Sequence, residues 1–169
     1  MSYKAIDVAN HIIQYCNENN GEITNLKLQK ILYYVQAAFL IEKDKPAFKE
    51  SIVAWQYGPV IESVYRKFKK NLDRPIKSIY EDINMSQVRI GNDGRFVLSP
   101  INNDFDDKIE HGDALLVDKV VEALMNKNAF ELVKKTHQED PWKNTQINSN
   151  IECSKIKEYF ANNRGRIYG

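Results

Sequence analysis

The chain has 169 residues with 24 basic and 23 acidic side chains, so its formal net charge is +1. That length is typical of one domain whose core needs no disulfide or structural metal, and we expect a single domain over residues 1–169. A near-neutral chain has no strong field that would draw it to nucleic acid or to anionic lipid.

The cysteine usage and the apolar pattern are typical of a cytoplasmic protein. Cys16 and Cys153 are far apart and follow no CxxC spacing, so we expect reduced thiols. The sequence shows no charged-then-apolar leader and no run of about 18 apolar residues. We therefore expect neither export nor membrane insertion.

Helical periodicity predicts two helices in the first part of the chain. The first has apolar residues at helical spacing from Ile6 to Cys16 and ends at Asn19-Asn20-Gly21, whose glycine is placed to follow the cap. Thr24 is a suitable N-cap for the second helix, over residues 25–43. Its apolar face is broad enough to indicate a central helix that is contacted from several sides. That face consists of Leu28, Ile31, Leu32, Tyr33, Tyr34, Val35, Phe39 and Leu40.

The segment from Trp55 to Pro59 places two large aromatic side chains just before a rigid Gly-Pro break. Residues 48–56 are predicted to be irregular or extended. Pro59 is predicted to begin a third helix that ends near Asn71, because proline suits the first turn of a helix. We expect Trp55 to pack inward beside the second helix. Tyr57, whose phenol needs a partner or solvent, is the better candidate for a contact residue.

The second half of the chain combines a short β element with further helices. Asp93-Gly94 between two apolar runs predicts a small hairpin over residues 87–98. Asp113 is expected to cap a fourth helix. Two more helices are predicted over residues 129–135 and 154–161, and the tail at 162–166 is expected to be loose. The predicted fold class is therefore mainly α with a small β-hairpin, in a compact helical bundle.

The segment around His137 is the strongest candidate for chemistry. A histidine near Glu139 and Asp140 could act as a general base or bind a metal, but this spacing matches neither the i, i+4 pair of a zinc protease nor a four-ligand set. The simpler interpretation is that Thr136 and His137 bond the end of the fifth helix and Trp142 anchors the following turn. No P-loop or G-x-G-x-x-G motif occurs. We predict no catalytic residue, metal site or cofactor, with a metal- or His-dependent enzyme that acts through His137, Glu139 and Asp140 as the alternative.

Two basic stretches give a second alternative, a nucleic-acid-binding regulator. Lys27 and Lys30, beside Asn25 and Gln29, could read a DNA groove from the start of a helix. The run from Arg66 to Lys70 could contact phosphates. The near-neutral total weighs against both interpretations. A core helical hairpin and a solvated helix face are the simpler account.

Three segments in fixed order carry a resemblance to one family. They are Ile23-Thr24-Asn25-Leu26-Lys27-Leu28-Gln29-Lys30-Ile31-Leu32-Tyr33-Tyr34, then Trp55-Gln56-Tyr57-Gly58-Pro59-Val60 with Val64-Tyr65, and Thr136-His137-Gln138-Glu139-Asp140-Pro141-Trp142. They resemble the TNLKLQKLLYY, W-x-Y-G-P-V … VY and TH-x-x-x-PW motifs of the Panacea-domain family, also called SocA-like or GepA-like. The resemblance covers about residues 6–142 and leaves 143–169 as a C-terminal extension.

The resemblance implies a mainly helical fold and an antitoxin that neutralises a toxin encoded beside it. Members that resemble SocA also hand the toxin to a protease, so the implied partners are a cognate toxin protein and a protease system. Because Tyr and Arg dominate binding hot spots, the candidate contact residues are Tyr57, Tyr65 and Arg66, together with Lys27. The other motif residues are expected to be structural, namely Thr24, Asn25, Leu28, Gln29, Lys30, Tyr33, Tyr34, Trp55, Gly58, Pro59, Thr136, His137, Pro141 and Trp142.

Overall fold

The computed structural model describes residues 2–77, 88–90, 94–98 and 108–169. Most of these residues are helical, which confirms the mainly α fold class. The described helices are α1 (Ala5–Glu18), α2 (Asn25–Glu42), α3 (Glu62–Phe68), α4 (His111–Leu124), α5 (Ala129–His137), α6 (Asp140–Lys143) and α7 (Cys153–Ala161). Two 3-10 helices, Lys69–Asn71 and Arg164–Ile167, continue the chain after α3 and α7.

Two small antiparallel sheets lie within the described part of the chain. The first has the order β2-β1-β5, formed by β1 (Ile52–Trp55), β2 (Gly58–Val60) and β5 (Asn150–Ile151). The second pairs β3 (Val88–Ile90) with β4 (Phe96–Leu98), which confirms the predicted hairpin strands. Most of the turn predicted between them lies outside the described residues.

Helix α2 is the central element of the fold. It packs against α1, α3, α4, α5, α7 and β2. Residues 27–40 of α2 are all buried, so this helix is enclosed on every side rather than along one stripe. The prediction of a central helix is therefore confirmed. Within the described part of the chain, no helix is long and apolar enough to cross a lipid bilayer.

The prediction that Pro59 begins the third helix is wrong. Gln56 and Tyr57 form a two-residue turn, and Gly58 and Pro59 then return as strand β2, with Trp55 paired to Gly58 and Ala54 to Pro59. Proline is tolerated there because β2 is an edge strand of its sheet, where a missing N–H breaks no ladder. Helix α3 begins later, at Glu62.

Two predicted caps also differ from the structure. Asn20, with a φ of 57°, takes the left-handed position after α1, and the Gly21 N–H then bonds to the Cys16 carbonyl at 2.7 Å. Helix α4 begins at His111, so Asp113 lies inside its first turn. The buried Asp113 carboxylate accepts bonds from the Tyr3 hydroxyl at 2.7 Å and Lys45 Nζ at 3.0 Å. Although burial raises the pKa of Asp113, these two bonds hold it below its usual value.

The segment after α7 is packed, although the sequence suggested a loose tail. Ile167 is completely buried, and Arg166 Nε donates to Glu139 Oε1 at 3.1 Å. The Lys135 ammonium donates to the Arg166 carbonyl, and Arg166 Nη2 donates back to the Lys135 carbonyl at 3.3 Å. These contacts were not predictable from local composition, because they join residues 27 and 31 positions apart.

We predict that Gly58→Ala lowers the free energy of unfolding by roughly 2–4 kcal/mol. Gly58 has a φ of 100°, and a Cβ there would lie 2.7 Å from Thr136 Oγ1 and 2.8 Å from Lys30 Cε. Urea titration followed by circular dichroism measures the change. Gly112→Ala is the matched control, because a Cβ at Gly112 meets nothing within 4 Å. Equal stability of the two variants would contradict the prediction.

We predict that Arg166→Met destabilises the fold by roughly 2–4 kcal/mol, because it leaves the Glu139 carboxylate buried without its cation. The Glu139 side chain is 0% exposed and that of Arg166 is 33% exposed, which places the loss below that of a fully buried pair. Denaturant unfolding of Arg166→Met and of the double variant Glu139→Gln/Arg166→Met tests this. The double variant should recover part of the loss, and the prediction fails if it is the less stable of the two.

Candidate functional site

Buried polar side chains at the start of α2 fix the backbone of the neighbouring segments. Asn25 Nδ2 donates to the Tyr65 carbonyl at 3.0 Å, which holds α3 against α2. Gln29 Nε2 donates to Asn25 Oδ1 at 3.0 Å, and Gln29 Oε1 accepts from the Ile61 N–H at 2.9 Å. Thr24 accepts from the Lys27 N–H at 3.3 Å, which confirms the predicted N-cap. The segment from Ile61 to Tyr65 therefore has one fixed position relative to α2.

Lys30 links α2 to the β1–β2 hairpin by a hydrogen bond. Its side chain is completely buried, and Nζ donates to the Pro59 carbonyl at 3.0 Å. Burial lowers the pKa of Lys30 to about 7, since the charged amine loses its hydration there. Thr136, also completely buried, lies on the other side of Gly58 and donates to the Val133 carbonyl at 2.9 Å. Only a residue without a side chain fits between Lys30 and Thr136.

Aromatic side chains lie in and beside this hairpin, and we call Trp55, Tyr57, Tyr65, His137 and Trp142 the aromatic patch. The Trp55 and Tyr65 rings meet edge to face with centroids 5.0 Å apart. Trp142 Nε1 donates to the Trp55 carbonyl at 2.9 Å, and the Trp142 ring stacks on His137 at 3.9 Å. Tyr57, in the turn, is 56% exposed. Ring contacts and a hydrogen bond thus fix Trp55, Tyr65 and Trp142, whereas Tyr57 in the turn is accessible to solvent.

The imidazole of His137 serves as a support within the patch. Burial lowers the pKa of His137, although a hydrogen bond with the Gln56 backbone opposes that effect. The loss of hydration therefore favours the neutral ring, which suits its stacking on Trp142. Its contacts tie the end of α5 to the β1–β2 turn and to α6.

His137, Glu139 and Asp140 do not converge on a common point. The Glu139 carboxylate is completely buried and accepts from the Tyr34 hydroxyl at 3.0 Å and from Arg166 at 3.1 Å. Asp140 is exposed and pairs with Lys143 at 3.6 Å. Burial raises the pKa of Glu139, against the opposing effects of Tyr34, Lys135 and Arg166. Within the described residues, no group of three or more His, Cys, Asp or Glu side chains could hold a metal ion.

The structure places the four candidate contact residues in different surroundings. Tyr57 and Arg66 are exposed, and Tyr65 is half-buried against Trp55. Lys27 lies elsewhere and is buried, with its ammonium donating to the Glu22 carbonyl at 3.0 Å and to the Met125 carbonyl. Lys27 thus acts as a tie between backbone segments.

Lys30, Asn25 and Gln29 are buried as well, so none of the polar side chains proposed to read a DNA groove is exposed on α2. Sequence reasoning also missed the bond from Trp142 to the Trp55 carbonyl. No local pattern signals that bond, because it joins positions 87 residues apart.

Comparison with known proteins places the chain among antitoxin-related proteins. A family model described as "Antitoxin SocA-like, Panacea domain" matches residues 28–143, which include the whole aromatic patch. The chain therefore belongs to the SocA-like Panacea-domain family. One curated relative is Antitoxin SocA of Caulobacter vibrioides (strain NA1000 / CB15N), which is 31% identical over 144 residues that span 83% of this chain and 69% of that protein. No solved structure matches.

We predict that the stability of the wild type rises relative to that of Lys30→Met as the pH increases from about 7 towards 10. Folded Lys30 has a pKa of about 7 and the unfolded side chain 10.5, so over this range the unfolded state binds more protons. The difference should grow by at most about 1.4 kcal/mol per pH unit. Urea midpoints of both proteins between pH 6 and 9 measure it. A pH-independent difference would show that Lys30 does not lose its proton on folding.

Proposed function

We propose that this chain is an antitoxin that binds and neutralises a toxin encoded next to its gene, without catalysing a reaction. Membership in the SocA-like Panacea-domain family supports the antitoxin role. The observation that carries the binding surface is the aromatic patch, which combines exposed aromatic area with a fixed backbone. We assign the contacts to Tyr57, Tyr65 and Arg66.

The physical case for this surface rests on preorganisation. Tyrosine offers a large contact area and a polar tip at a small cost in side-chain entropy, and it is enriched at binding hot spots. The backbone around Tyr57 is held by the Lys30 bond to Pro59, and that of Tyr65 by the Asn25 bond to its carbonyl. A partner would therefore meet a backbone already in place, which lowers the entropy lost on binding.

We predict that Tyr57→Ala/Tyr65→Ala weakens binding to the product of the adjacent gene by about 2–4 kcal/mol and abolishes growth rescue. The reason is the loss of the two tyrosine side chains to which we assign the contacts. Co-expression with the adjacent gene, co-purification and isothermal titration measure the effect. Leu115→Ala is the matched control, because Leu115 on α4 is 55% exposed, close to the 56% of Tyr57.

Three outcomes would contradict the assigned contact surface, the antitoxin proposal or the absence of catalysis. Binding and rescue that survive the double tyrosine variant but fail with Leu115→Ala would place the contact on α4 instead. Failure of the wild type to rescue growth or to co-purify with the adjacent product would sink the antitoxin proposal. Rescue that is lost on substituting Glu139 by Gln, with fold and binding kept, would favour the enzyme alternative.

Delivery of the bound toxin to a protease is the finer form of this proposal. It predicts that toxin levels fall when the chain is co-expressed in cells with intact proteases and recover when the protease is deleted. A stable, undegraded complex in both cells would limit the chain to neutralisation by binding. The family resemblance motivates this test. The patch would bind the toxin in the same way whether the toxin is only neutralised or is also delivered to a protease.

A further inference from the structure

Basic side chains lie close in sequence to patch residues on two elements. Arg66 follows Tyr65 directly, and Lys69 lies four residues beyond Tyr65 on the 3-10 turn that continues α3. Residues four apart are neighbours on a helical surface, so Tyr65 and Lys69 share one flank. On α5, Lys134 lies three residues before His137, so these two side chains are also neighbours on a helical surface. All three basic side chains are exposed.

The acidic side chains of α3, α5 and α6 each have a hydrogen-bond or ion-pair partner. Glu62 accepts from Arg66 at 3.3 Å, and Asp140 pairs with Lys143 at 3.6 Å. Glu131, on the same helix as Lys134, is engaged in the capping box with Asn128. Lys69 and Lys134 have no acidic partner among the residues that the structure describes. Lys69 and Lys134 therefore each carry a positive charge that no described carboxylate pairs with, in a chain whose net charge is only +1.

We propose that the aromatic patch binds an acidic protein segment of the toxin, in which carboxylates alternate with apolar side chains. This inference rests on the proposed function and adds the chemistry of the partner. Apolar side chains of the segment would contact Tyr57 and the Trp55–Tyr65 pair. Its carboxylates would meet Lys69 on one side and Lys134 on the other, which fixes the register of the segment and speeds its association.

A protein segment fits this surface better than a nucleic acid does. One face of the Trp142 ring is covered by His137, and the Trp55 ring meets the edge or face of Tyr65, so the rings offer few open faces for stacked bases. The basic side chains stand apart on two elements instead of forming a continuous track for phosphates. The small net charge also gives little long-range attraction to a polyanion.

Intrinsic fluorescence and the indole N–H signals report on this surface directly, because Trp55 and Trp142 are the two tryptophans of the sequence and both belong to the patch. The probes are a short synthetic peptide in which glutamate alternates with leucine, the same peptide with glutamine for glutamate, and a single-stranded DNA oligomer. The acidic peptide should shift both tryptophan signals. The glutamine peptide should bind at least about tenfold more weakly, since a carboxylate contributes through its charge.

A charge-reversal variant locates the contact. Lys69→Glu/Lys134→Glu should weaken binding of the acidic peptide on the order of tenfold, with the effect shrinking as salt is raised to about 0.5 M. Lys4→Glu/Lys49→Glu is the matched control, because both lysines are exposed near the Tyr3–Phe48 bridge, away from α3. All four positions are on the surface, so circular dichroism should show an unchanged fold in both variants.

The outcomes separate this inference from the proposed function. Equal binding of the acidic and glutamine peptides, no tryptophan shift, or tighter binding of the DNA oligomer through Lys69 and Lys134 would overturn the acidic-segment proposal. The same variants measured against the adjacent gene product test the function. Absence of any complex there rejects the antitoxin role, whereas a complex that tolerates the charge reversal rejects only the acidic segment.

Discussion

The fold depends on the burial of polar side chains along α2. Asn25, Gln29, Lys30 and Gln36 lie inside the protein, and each would cost several kcal/mol if its polar atoms lacked partners. Gln36 accepts from the Ala47 N–H at 2.8 Å, so the loop after α2 is held in the same way as the hairpin and α3. These bonds go to backbone groups that lack secondary-structure partners. The helix therefore sets the path of irregular segments that have little core of their own.

This constraint explains why the most recognisable part of the sequence lies far from solvent. Residues 25–30 supply the polar bonds, and the apolar positions between them fill the core. The turn at Gln56 and Tyr57 is exposed, but its position is set by the buried Lys30, which bonds to the Pro59 carbonyl. Substitution of Lys30 would therefore alter the position of the hairpin that carries Trp55 and Tyr57, because the Pro59 carbonyl would lose its hydrogen-bond donor. Lys30 itself is not part of the patch.

Helical periodicity was sufficient to predict α1, α2, α4, α5 and α7, because each has an apolar face long enough to fix its period. The predictions were wrong where a contact between residues distant in sequence determines the local structure. Pro59 reads as a helix start in isolation, but pairing with Ala54 places it in an edge strand. The sequence around Arg166 reads as a loose tail, but the buried Glu139 carboxylate needs its cation. The aromatic patch was predicted only in part, since Trp142 reaches it across 87 residues.

The side chains exposed in the β1–β2 turn are different residues from those whose hydrogen bonds fix the hairpin. Gln56 and Tyr57 are exposed, and the bonds that fix the hairpin come from Lys30 below and from the Trp142 indole at the Trp55 carbonyl. Replacing the turn side chains removes no buried bond, so the folded state is nearly indifferent to them. Replacing Gly58 or Lys30 disturbs the support itself. The exposed side chains of the turn can therefore vary while α2 and its buried polar bonds stay the same.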